Sequence, residues 1–91
     1  MTNKEIKEGN AIIARFTGYP TKNVPHFHTS WNWLIPSLRK FGLIISNMYK
    51  EQNKELFYLW DLVITHYKDF DIEYTFISFT NLLVWYNKQK K

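Results

Sequence analysis

Few side chains in this sequence are of types and spacings that do chemistry. His26 and His28, two residues apart, place both imidazoles on one side of an extended segment, and His66 or Asp61 would extend them to a metal-ligand set. A His-x-His pair with no third ligand at close spacing is far more often ordinary loop chemistry, so no metal is expected. Thr29 and Ser30 follow His28 directly, which suggests a hydroxyl nucleophile beside a base. Adjacent residues rarely reach that geometry, and the chain has no Gly-x-Ser-x-Gly elbow. Three glycines are too few for a phosphate cradle. The carboxylates are scattered and form no acid/base pair. The expectation is a protein that is not an enzyme and carries no cofactor.

What remains is aromatic. Phe, Tyr and Trp make up 17 of the 91 residues, and they are densest in the stretch 26–36. Large rings can stabilise a small core or anchor a partner. Tyr19, Phe27, Trp31 and Trp33 can form a stacking platform for unpaired bases, with Lys22, Arg39 and Lys40 on phosphates. The competing reading packs Trp33 into the core beside Leu34, and that reading is preferred; for Trp31 neither reading wins. The contact set expected at a partner is therefore Tyr19, Lys22, Phe27, His28, Trp31, Arg39 and Lys40.

The elements that position these residues read as follows. A first helix runs from Thr2 or Asn3 to Thr17, with Glu5 in its first turn and Gly18 and Pro20 stopping it. Ile6, Ile12, Ile13 and Phe16 give its apolar face. Residues 19–29 have no period and read as a long loop. A second helix starts near Ser30 or Asn32, takes Pro36 in or just after its first turn, carries Leu34, Leu38 and Phe41, and ends at Gly42. Residues 43–48 are open to a short strand. From Glu51, the spacing of Leu56, Leu59, Trp60, Val63 and Tyr67 predicts a helix, with a strand through Val63-Ile64-Thr65 as competitor. Asp69 or Asp71 caps a last helix along Ile72, Phe76, Phe79, Leu83 and Tyr86. Phe16, Trp33, Phe41, Trp60, Phe76, Phe79 and Tyr86 are assigned to the core, and Trp85 is half-buried. The expected fold is mainly α, a compact bundle of about four helices in one domain over 1–91.

Composition narrows the class. The chain has no Cys, which excludes disulfides, thiol nucleophiles and Cys-ligated metals. No apolar run is long enough to span a membrane and none follows Met1 as in a signal peptide, so a cytoplasmic protein is expected. The formal net charge is +4, with acids interspersed among lysines. That argues against a DNA mimic and permits contact with nucleic acid. The tail Lys88-Gln89-Lys90-Lys91 reads as a solubilising end rather than a phosphate contact.

Three motifs then carry a resemblance. The opening Asn3-Lys4-Glu5-Ile6-x-Glu8-Gly9-Asn10-x-Ile12-Ile13-Ala14-x-Phe16-x-Gly18, the block His28-Thr29-Ser30-Trp31-Asn32-Trp33-Leu34-Ile35-Pro36, and the ending Leu82-Leu83-Val84-Trp85-Tyr86-Asn87 resemble a widespread family of small phage and prophage proteins. Each motif alone is loose; the three in order are fairly specific, and residues 43–70 are unmatched. The resemblance implies a bacterial-host setting, where small non-enzymatic phage proteins bind and disable host defence machinery. The chain also looks like the anti-CRISPR proteins found there, in particular an inhibitor of a type VI-B RNA-guided, RNA-cleaving effector, by likeness of size and composition rather than of motif. The implied partner is an RNA-guided nuclease of the host, with or without its guide RNA. The alternative is a small basic module that binds RNA or single-stranded DNA by itself.

Overall fold

The computed structural model describes residues 1–20 and 24–89. It is a helical bundle: α1 (Asn3–Thr17), α2 (Trp31–Ser46), a short 3-10 turn (Lys50–Gln52), α3 (Lys54–Lys68) and α4 (Ile72–Gln89). Among the described residues there is no strand, and no helix is long and apolar enough to cross a membrane.

Local chemistry sets most helix ends. Thr2 and Glu5 form a reciprocal cap on α1: the Glu5 N–H donates to Thr2 Oγ1 at 3.1 Å and the Thr2 N–H donates to Glu5 Oε1 at 3.2 Å. These bonds with Thr2 hold the Glu5 carboxyl below its ordinary range. Gly18 ends α1 in the left-handed region, φ 87°, which suits a residue without Cβ. The Tyr74 N–H donates to Asp71 Oδ1 at 3.1 Å, so Asp71 caps α4.

Two expectations for residues 42–48 are corrected. Gly42 does not end α2, and there is no β element near 43–48: the helix continues to Ser46. The local stop signal is overridden because Ile44 and Ile45 extend the apolar side of the helix onto the core; Trp60 Cζ2 lies 3.7 Å from where a Cβ on Gly42 would stand, an ordinary contact. Leu43, Ile44 and Ile45 therefore form the last turn of α2, with Ile45 buried.

The helix order explains the long loop. Trp31 meets Tyr67 and Phe41 meets Trp60, so α2 and α3 run in opposite senses. A three-residue turn sends α4 back along α3. Gly9 lies against Phe76 and Phe16 against Phe79, so α1 runs in the same sense as α4, and hence as α2. To start α2, the chain must return past α1, a helix of about 22 Å. It does so as a strap: Val24 and His26 line one surface cavity with Asn3, Ile6 and Lys7. The core beneath holds Ile13, Phe27, Leu34, Phe41, Val63, Phe76, Phe79 and Leu83.

Gly9 sets the α1–α4 separation. A Cβ there would stand 2.5 Å from Phe76 Cζ and 2.9 Å from Phe76 Cε2, and the Phe76 ring is itself buried. Gly9→Ala gains about 1 kcal/mol of helix propensity but forces overpacking that costs about 1–3 kcal/mol. The expected outcome is a lower midpoint in thermal unfolding; a raised midpoint would show that the two helices can part freely.

The α3–α4 turn is unusual. Asp71 N–H donates to His66 O at 3.1 Å and Phe70 N–H donates to Tyr67 O at 3.0 Å, the bonding pattern of a Schellman C-cap. Its left-handed position, normally Gly, is Phe70 at φ 56°. An L-residue there costs roughly 1–2 kcal/mol. His66 stacks on Tyr74 across the turn at 5.5 Å.

Candidate partner-binding surface

The strap is fastened by a buried amide. Asn10 lies one turn after Ile6 on the inner side of α1. The Phe27 N–H donates to Asn10 Oδ1 at 3.0 Å, and Asn10 Nδ2 lies 2.9 Å from His28 Nδ1. The Phe27 N–H needs an acceptor, so Oδ1 faces it and Nδ2 donates to His28. Nδ1 is then the acceptor, and the neutral ring carries its proton on Nε2. Burial, and secondarily the nearby His26, lowers the His28 pKa from its ordinary value. The His28 ring packs edge-on to Phe76 at 5.8 Å and 5.7 Å from His26. His28 is thus half-buried and engaged inside the protein rather than presented to a partner.

The expected aromatic contact set is redrawn. Phe27 is 0% exposed, and Trp33, assigned to the core, is 41% exposed. The two exchange roles. Trp33 falls off the Leu34–Leu38–Phe41 stripe of α2, whereas Phe27 follows the amide that Asn10 pulls inward. Tyr19, 38% exposed, packs edge-on against Trp33 at 5.5 Å and rests on Phe27 at 6.2 Å. The result is an outward aromatic pair on a buried ring, placed by the Gly18 cap on one side and the first turn of α2 on the other.

The cations divide. Lys40 Nζ donates to Phe16 O at 2.7 Å and lies 5.1 Å over the Phe16 ring, so this lysine closes the last turn of α1. One of its three N–H donors is used there, and the side chain stays exposed. Arg39 is exposed and has no partner among the described residues. Lys22 and the tail lysines Lys90 and Lys91 lie outside the described residues.

Trp31 and Arg39 are brought to a second surface. Ile35, Leu38, Gly42, Trp60, Ile64 and Tyr67 line a groove of about 190 Å³ between α2 and α3, with Arg39 as its one charged lining residue. Trp31, edge-on to Tyr67 at 5.6 Å, stands at one end. Residues 31, 35, 38 and 42 form one face of α2. Trp33 and Lys40 are on its opposite flank, toward α1. Sequence reasoning missed this groove, although the 31-35-38-42 spacing with a glycine at its end was a visible signal.

Trp60 and Tyr86 pack against the core but are only half-buried, and Trp85 is half-buried as expected. Among the described residues, no group of three or more His, Cys, Asp or Glu is placed to hold a metal. No family model, curated protein or solved structure matches the chain.

Proposed function

We propose that this chain is a non-catalytic interaction protein that grips another protein with the Tyr19–Trp33 pair. The observation that carries the reading is the fixed edge-on geometry of two exposed rings seated on buried Phe27. Rigid exposed aromatics lose little conformational freedom on binding and are frequent binding hot spots. The phage-type sequence motifs supply the context: the partner is a host defence complex, with an RNA-guided, RNA-cleaving effector as the specific candidate. Engagement of Lys40 by Phe16 leaves fewer cations for phosphates, which favours a protein target over autonomous nucleic-acid binding.

The test is retention of the chain by a purified type VI-B effector, with and without guide RNA. Wild type is expected to be retained, and the Tyr19→Ala/Trp33→Ala double variant to bind at least tenfold more weakly while keeping its helical circular dichroism. Retention in neither condition would sink the reading for this effector. Tight, salt-sensitive binding of free RNA would favour the nucleic-acid module instead.

A further inference from the structure

Phe70 combines two features that ordinary folding disfavours. It holds a left-handed backbone at φ 56°, where glycine belongs, and its side chain is 83% exposed. A strained, exposed, large apolar residue points to a use outside the fold. The turn holds it firmly, through its two Schellman bonds and the His66–Tyr74 stack. Exposed Asp69 precedes it and Asp71 follows it.

The same end of the molecule holds a complementary feature. The α2–α3 groove is almost wholly apolar, its only charged lining residue is Arg39, and it runs toward this turn through Ile64 and Tyr67. Phe70 comes six residues after Ile64, a span of about 9 Å along a helix axis. A ring flanked by carboxylates and an apolar groove edged by a guanidinium match each other in polarity and in charge. Because one chain carries both features, a two-fold axis relating two copies makes both contacts at once.

We propose that the groove receives Phe70 of a second copy of this chain, in a two-fold dimer with Asp69 beside Arg39 of the other copy. Asp71 is occupied as the α4 cap, so Asp69 supplies the ion pair. The dimer uses the flank of α2 opposite Trp33 and leaves the Tyr19–Trp33 pair open. It therefore does not rest on the function proposed above.

The experiment is sedimentation equilibrium of the purified chain from low to several hundred micromolar. Wild type is expected to dimerise. Phe70→Gly is expected to associate at least tenfold more weakly while its dilute thermal midpoint stays level or rises, because glycine suits the turn. Arg39→Asp is expected to weaken association similarly, and Arg39→Asp/Asp69→Arg to restore it. A wild type that is monomeric throughout assigns the groove to another molecule and overturns the proposal. So does a Phe70→Gly variant that dimerises like wild type, or an open series of larger species in place of a dimer.

Discussion

Phe27→Ala is expected to lower the unfolding free energy by about 3–5 kcal/mol, the range for emptying a buried aromatic site. Phe27 has no exposed surface, and Tyr19 lies over it. Its loss leaves a cavity that the strap cannot easily fill, since Asn10 fixes the backbone at that residue. For a chain of this length the whole stability is on the order of 5–13 kcal/mol, so about a quarter of it or more goes with one ring. Tyr19→Ala, by contrast, removes a half-open ring and is expected to cost no more than about 1 kcal/mol. Urea unfolding followed by circular dichroism measures both. Similar small losses for the two variants would return Phe27 to the surface and undo the exchange with Trp33.

Asn10 carries the second large effect. Asn10→Ala leaves the buried Phe27 N–H without an acceptor and frees His28, with an expected loss of about 2–3 kcal/mol. Asn10→Asp is the sharper test, because it changes the sign of a pH dependence. In wild type the folded ring is harder to protonate than the unfolded one, chiefly through burial. As pH falls below about 6.5, the unfolded chain takes up the proton first and stability declines. The stabilising contribution is present above that pH and is lost on acidification toward the lower folded pKa. In Asn10→Asp one carboxylate oxygen still accepts from Phe27 and the other faces His28 Nδ1. That ring now gains by carrying a proton, so its folded pKa rises above the ordinary value. Its contribution is present at acidic pH and is lost as pH rises through the folded pKa. Urea midpoints from pH 5 to 8 are expected to fall toward acid in wild type and to fall toward base in the variant. Parallel slopes would remove the Asn10–His28 bond from the account. Glu5 titrates below this window and does not confuse it.

The parts of the fold set by nearest neighbours were legible. The Thr2–Glu5 cap, the Gly18 stop and the Asp71 cap each act within a few residues, and each is found where its residue types point. The helical stripe from Phe76 to Leu83 is equally local, because spacing alone puts it on one face. What failed depended on residues far along the chain. Gly42 obeys no local stop because Ile44 and Ile45 beyond it pack on a core built by later helices. Phe27 has no periodic neighbours to reveal its burial, since a strap has no face. The available sign was Asn10, a polar residue on the Ile6–Ile13 side of α1 that had to find partners somewhere. Of the expected contact residues, Tyr19, Trp31, Arg39 and Lys40 keep exposed or half-exposed places, although they divide between two flanks of α2, while His28 is half-buried and Phe27 fully buried. The spacing of residues 31, 35, 38 and 42 marks one wall of the groove, and its other wall comes from α3.

The same-sense pairing of α1 with α4 also has a consequence for biosynthesis. The strap lets α2 begin, but it does not cover the face of α1 that Phe76 and Phe79 occupy. Gly9 and Phe76 are 67 positions apart. At ribosomal rates of about 5–20 residues per second, that separation corresponds to roughly 3–13 s. For those seconds the first helix emerges from the ribosome with one greasy side bare. An early stop before residue 76 would release a product in which that side of α1 stays uncovered.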